Sequence, residues 1–114
     1  MLDKQLLKGT LPTLVLSLLS GADRYGYELI KEMDRLSGGV FRFGEGSLYP
    51  VLHGLERDGA LRAEWRESDA GRRRKYYTLT PVGRTELARR TAEWRTFADA
   101  IAAVLADGKD SRHG

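Results

Sequence analysis

Gly71-Arg72-Arg73-Arg74-Lys75-Tyr76-Tyr77-Thr78-Leu79-Thr80 is the stretch on which the reading of this chain turns. Its four consecutive cations are expected at the tip of a β-hairpin, with two tyrosines directly behind them. Ser68-Asp69-Ala70-Gly71 reads as the turn, and Lys75 to Leu79 as the returning strand. On the outgoing side Leu61, Ala63 and Trp65 alternate with Arg62, Glu64 and Arg66, the period-2 pattern of a half-buried strand. Tyr76 and Tyr77 fall on opposite faces, so one plugs the core and the other lies outward. Residues 61–79 hold Arg62, Arg66, Arg72, Arg73, Arg74 and Lys75 against Glu64, Glu67 and Asp69, an excess equal to the +3 of the whole chain. A polyanion is the natural partner for charge so concentrated, because each cation set on a phosphate releases condensed counterions.

Working outward, three helices precede the hairpin. Leu11, Leu14, Val15, Leu18 and Leu19 recur at helical spacing. Pro12 costs about 3 kcal/mol inside a helix but is tolerated in its first turn. The first helix is therefore expected to start with Thr10 as N-cap and to end at Ser20-Gly21, with residues 1–9 as a separate arm. A second helix runs from about Tyr25 to Leu36, with Leu29, Ile30, Met33 and Leu36 inward and Gly38-Gly39 as its left-handed stop. A third starts near Ser47, which can serve as its N-cap, and ends at Asp58-Gly59. Pro50 shapes its start, and Leu48, Leu52 and Leu55 face inward.

The last element is the longest. Thr80 is expected as N-cap and Pro81 at the first helical position, and the helix continues to Ala106, about 39 Å at roughly 1.5 Å per residue. Leu87, Thr91, Trp94, Ala98, Ile101 and Leu105 form a heptad-like seam. Its distal half outreaches a domain of three short helices and a hairpin, and the simplest cover is the same helix of a second copy. Gly108 to Gly114 are polar and expected to fray.

Composition narrows the function classes. A chain of 114 residues with 41% hydrophobic and 31% charged residues suits one compact domain with a modest core. No apolar run approaches the roughly 20 residues that span a bilayer, and Leu14 to Leu19 lacks the flanks of a signal peptide, so a cytoplasmic location is expected. The absence of cysteine removes disulfides and thiolate chemistry. His53 and His113 are the only histidines, and no nucleophile has an adjacent base, so neither catalysis, a metal site nor a cofactor is expected. The glycines at 38–39 and 44–46 do not form a phosphate loop, since no Gly-Lys-Ser/Thr follows.

Three helices followed by a basic hairpin is the order of a winged helix-turn-helix, whose third helix enters the DNA major groove while the wing reaches the backbone or the adjacent minor groove. Outward positions early in the third helix are Ser47, Tyr49 and His53. Their small or hydrogen-bonding groups suit base edges and phosphates, and the helix N-terminus suits a phosphate. Ser47 can both cap and contact. Tyr49 can pack or read. His53 reads as an ordinary surface residue as well, and Tyr25 and Tyr27 as packing residues.

The segments Tyr25-Gly26-Tyr27-Glu28-Leu29-Ile30, Gly46-Ser47-Leu48-Tyr49-Pro50-Val51-Leu52, Leu55-Glu56-Arg57-Asp58-Gly59 and Gly71 to Gly83 together resemble the PadR family of bacterial transcriptional regulators, over roughly residues 6–106. The single C-terminal helix is similar to the family's small subgroup. The resemblance implies a homodimeric repressor on a palindromic operator, released by a small-molecule effector. Ser47, Tyr49 and Pro50 match the recognition-helix motif, and Arg72, Arg73, Arg74 and Lys75 match the wing. In the small subgroup some members hold flat aromatic compounds between tryptophans at the dimer interface. That marks Trp94, Phe97 and Ile101, with Trp65, as candidate effector residues beside a plainer reading of Trp94 as dimer packing.

The expectation is thus a mainly α (α+β) protein. Residues 1–80 form a winged helix-turn-helix with a two-stranded wing, 81–106 a dimerisation helix and 107–114 a disordered tail. Its partners are duplex DNA, a second copy and a planar aromatic effector. A protein-interaction module whose basic wing meets an acidic protein is the alternative.

Overall fold

The computed structural model describes residues 4–67 and 69–110. The elements in chain order are α1 (Lys4–Gly21), β1 (Arg24–Tyr25), α2 (Gly26–Leu36), α3 (Glu45–Arg57), β2 (Leu61–Glu67), β3 (Arg73–Leu79) and α4 (Pro81–Asp110). The architecture is the expected mostly helical α+β winged helix with a long C-terminal helix. Its sheet has three antiparallel strands, in the order β1-β3-β2, where two were expected. Strand β1 is only two residues long, pairing Arg24 with Tyr77 and Tyr25 with Tyr76. Two residues carry no periodicity, so only the fold could bring them to the hairpin.

Helix α1 corrects the first expectation. Residues 4–9 are not a separate arm, and Thr10 is not an N-cap: the helix is continuous through Pro12, and the Thr10 hydroxyl donates to the Leu6 carbonyl at 2.7 Å. Pro12 removes one intrahelical donor. Burial offsets that loss, because Leu11 and Val15 on either side of the proline are fully buried in the core.

Helix α2 opens at Tyr25, whose backbone N–H donates to the Glu28 carboxylate at 3.1 Å. Gly38 (φ 63°) and Gly39 (φ 86°) stop it as expected. Leu29 and Met33 are buried and Ile30 packs against them. Leu36, expected inward, is 61% exposed, because the last turn of α2 only reaches the rim of the core beside Phe41.

Helix α3 begins before Ser47. Gly44, in extended conformation, is the N-cap, Glu45 lies in the first turn where the helix dipole favours an acid, and Ser47 is already helical. Pro50 therefore sits in the second turn rather than at the start. Leu48, Leu52 and Leu55 are buried as expected, closing a core with Leu11, Val15, Leu16 and Leu19 of α1 and with Leu61, Tyr77 and Leu79 of the sheet. Among the described residues no polar or charged one is buried.

The hairpin register runs from Leu61↔Leu79 to Glu67↔Arg73. The returning strand, expected from Lys75, begins two residues earlier. Arg73, Arg74 and Lys75 belong to β3, and only Arg72 lies in the connection, after Gly71 (φ 79°). Ser68 of the expected turn lies outside the described residues. Tyr77 fills the core at 1% exposure and Tyr76 lies on the other face, as alternation requires.

A compact joint aims α4. The Thr80 hydroxyl accepts from the Gly83 N–H at 3.1 Å and donates to the Gly59 carbonyl at 2.6 Å, while the Thr80 N–H donates to Ala60. Gly83 approaches so closely that an added Cβ would lie 2.2 Å from the Ala60 carbonyl oxygen. Leu87 still packs on the core. Beyond it α4 projects, and the molecule measures 65 Å along its long axis against 28 Å across. The helix continues to Asp110, so residues 107–110 are helical where fraying was expected; residues 111–114, with His113, lie outside the described residues.

Candidate nucleic-acid interface

The inward leucines of α3 leave its opposite side to solvent. Gly46, Pro50, His53 and Arg57 recur at i, i+4, i+7 and i+11 and are all exposed, with Ser47 beside them. Arg57 extends the stripe beyond the early-helix positions the sequence singles out, at a spacing the sequence already contains. Tyr49 does not share this stripe. It is half-buried, and its hydroxyl oxygen lies 2.8 Å from where a Cβ on Gly26 would stand. Gly26 is thus the hydrogen-sized gap that lets α3 close on the first turn of α2. The Tyr49 ring leans on His53, with centroids 6.3 Å apart. Tyr25 packs in the fold, but Tyr27, also expected to pack, is 53% exposed with Lys31 over its ring.

The four basic residues of the wing differ in how free they are. Arg72 and Arg73 are exposed. Arg74 is half-buried with its guanidinium 4.4 Å from the Tyr25 ring centroid. The Lys75 ammonium lies 3.6 Å from the Glu56 carboxylate and over the Tyr77 ring. Burial pushes the Tyr77 phenol above its ordinary pKa, so its ring stays neutral in the core.

An aromatic and ionic brace fixes where the wing stands. The rings of Tyr25 and Tyr76 meet edge to face at 5.4 Å, and Arg66 lies 4.9 Å over Tyr76. Arg66 also donates to Asp23 at 2.8 Å and to Glu64 at 2.6 Å. The Arg66 hydrogen bond holds the Asp23 carboxyl below its usual value. This ties β2 to the segment before α2.

Wing, α3 and the start of α2 enclose one depression, bordered by Tyr27, Glu45, Tyr49, His53, Trp65, Arg73, Arg74 and Lys75 among others. The structure brings Tyr49, His53 and three of the four wing cations together there. Ser47 and Pro50 lie on the adjoining exposed face of α3, and Arg72 at the wing's end.

The proposed effector residues separate. Trp94 and Phe97 pair at 5.9 Å on α4 and border a depression that also includes Thr13 and Ala100. Ile101 is 43% exposed farther along. Within one protomer Trp65 borders the wing depression and Trp94 does not. Among the described residues there is no group of three or more His, Asp or Glu side chains that could hold a metal ion, and no helix long and apolar enough to cross a membrane.

Known proteins carry the same arrangement. The transcriptional regulator PadR-like family matches residues 15–89. A protein from Lysinibacillus sphaericus is 31% identical over 101 residues, covering 89% of this chain and 93% of that one. The transcriptional regulator Rv3488 of Mycobacterium tuberculosis is 44% identical over 63 residues, 55% of each chain. Among solved structures, a transcriptional regulator from Clostridium thermocellum superposes with a TM-score of 0.81 at 29% identity, covering 89% of this chain and 95% of that one. A PadR family transcriptional regulator from Eggerthella lenta gives 0.74 at 35% identity over 89% and 86%. Members of the family are DNA-binding regulators rather than enzymes, and the helix order, the braced basic wing and the match over residues 15–89 lead to one conclusion: this chain belongs to the PadR-like family of transcriptional regulators.

Proposed function

We propose that the protein is a cytoplasmic homodimeric repressor that binds a palindromic operator and is released by a planar aromatic effector. Residues 1–80 serve as the reading head and 81–106 as the dimerisation helix. The observation that carries the DNA contact is the depression shared by α3 and the wing, which His53 of the solvent-facing helix stripe borders together with the exposed Arg73 and the half-buried Arg74 and Lys75. Ser47, Pro50 and His53 enter the major groove, with Arg57 at the far end of the same stripe. Arg72 and Arg73 meet phosphates most freely, while Arg74 and Lys75 contribute from braced positions. Tyr49 sets the angle of α3 through its contact with Gly26, and any reading of a base by Tyr49 follows from that seat.

Dimerisation is supported by the stripe on α4, where Trp94, Ile101 and Leu105 are 43–68% exposed. Two such helices packed together hold the heads about 34 Å apart, one turn of duplex. Trp94, Phe97 and Ile101 would then flank an aromatic effector at the seam. The effector releases DNA by preferring a different head separation.

A mobility-shift titration against the DNA upstream of the protein's own gene, run beside sedimentation, tests this. A dimer that retards this duplex and loses it as salt rises is expected. A monomer at micromolar concentration that retards no duplex in dilute buffer would overturn it. Unchanged operator affinity across a panel of planar aromatic compounds would remove the effector while leaving the DNA contact.

A further inference from the structure

Trp65 is the feature of the wing that the proposal above does not use. On its face of β2, Leu61 is buried and Ala63 is packed, yet Trp65 is 59% exposed. Its indole is open to solvent on a braced strand, with the Arg73 guanidinium over its ring, so apolar surface and positive charge stand side by side. It opens into the depression already described, opposite Tyr49 and His53. The volume, about 400 Å³, falls in the range of small-ligand sites, roughly 300–1,000 Å³.

Geometry names the occupant. If α3 lies in a major groove and the wing at the neighbouring minor groove, the ridge between them is a single phosphodiester strand, and it must pass between the two elements. The chemistry of the depression suits that strand, since a deoxyribose offers an apolar face and the flanking phosphates offer charge. Trp65 supplies the apolar surface, the Tyr27 hydroxyl a donor, and Arg73 and Lys75 the cations. Arg73 lies 5.7 Å from the centre of the Trp65 indole, so the ring also holds the guanidinium in place. Glu45 borders the same space and Glu56 is already paired with Lys75, so repulsion from Glu45 presses the strand toward the wing.

We infer that this depression is the seat of one DNA backbone strand, with the Trp65 indole packed on a deoxyribose and Arg73 steadied by that indole on the adjacent phosphate. The inference rests on the DNA-binding reading above. The test uses the full chain labelled with 5-fluorotryptophan and a duplex of arbitrary sequence, about three helical turns long, in dilute buffer, because a backbone contact does not need the operator. The chain has two tryptophans, and the fluorine resonance missing from Trp65→Phe protein is that of Trp65. It should shift when duplex is added. Trp65→Ala should weaken duplex binding about tenfold with an unchanged salt slope, the size of one lost aromatic contact, whereas Arg73→Ala should lower the slope by about one.

If duplex binds while the Trp65 resonance stays still and Trp65→Ala binds like the parent, the seat is wrong and the DNA-binding reading stands. Weaker binding by Trp65→Ala without a fluorine shift would assign the indole to packing within the wing and also overturn the seat. Failure of the unsubstituted protein to bind any duplex would overturn the broader reading before any variant is made.

Discussion

The inner face of α3 and the distal face of α4 follow similar apolar spacing and meet opposite fates. Leu48, Leu52 and Leu55 are at most 7% exposed, while Trp94, Ile101 and Leu105 are 43–68% exposed. Spacing tells which side of a helix is apolar, and nothing more. The leucines of α3 lie between α1 and the sheet, so their cover comes from the same chain. Past Leu87, α4 leaves the core and runs beside α1 no farther than the stretch around Trp94 and Phe97, and a contiguous exposed stripe in that setting points to another molecule.

Truncation in the covered region should have the largest effect. Leu52→Ala removes packed atoms and leaves a cavity, and is expected to cost about 3 kcal/mol. Calorimetry should show the melting temperature falling by roughly 10 °C or more at every protein concentration. In the uncovered region Ile101→Glu should leave the head folded and weaken association instead, by about 2 kcal/mol or some thirtyfold. Sedimentation would read this as a concentration-dependent shift toward single subunits, with helical content retained once corrected for frayed ends. If Ile101→Glu instead melts the whole protein at all concentrations, the contrast between the two faces breaks down.

The wing sharpens the comparison on a smaller scale, since its cations also divide into engaged and free. Arg73→Ala should weaken binding to all duplexes and lower the salt slope by about one. Lys75→Ala should do so by less, because its ammonium already faces Glu56. Equal losses from the two would mean that the Lys75–Glu56 pair opens on binding.

The smallest effect concerns the brace. Asp23 has its carboxyl held below the ordinary value by Arg66. A depressed carboxylate stabilises the fold above the unfolded value, about 3.9, and loses that contribution as pH falls through the folded one. Both side chains are more than a third exposed, so screening keeps the effect slight. Thermal melts of the parent and of Asp23→Asn should therefore differ modestly at neutral pH, and the gap should close as the pH is lowered through the depressed folded-state value; a constant gap would remove Asp23 from the brace.

Much of the head was legible in the residues. Period-2 alternation marked β2, positive-φ glycines marked the end of α2, and Thr80-Pro81 marked the start of α4. The errors share one cause. The proline penalty that suggested a start at Thr10 is local, while the core that buries Leu11 and Val15 on either side of Pro12 exists only once α3 and the sheet arrive. The returning strand starts two residues earlier than the expected Lys75, because the tip of a charged run carries no alternation that marks where pairing begins. Pairing with β2 draws Arg73, Arg74 and Lys75 into the strand and sends their side chains to different neighbours.

By itself the sequence determined the kinds of elements, their order, the polarity of each face and the concentration of positive charge in one hairpin, because all of these follow from near neighbours along the chain. Only the tertiary structure decided which apolar faces are covered, that Gly26 makes room for Tyr49, that two residues before α2 complete the sheet, and that the two tryptophans look into different spaces. Each of those depends on distances between residues far apart in the chain, and folding closes such distances without leaving a pattern in either segment alone.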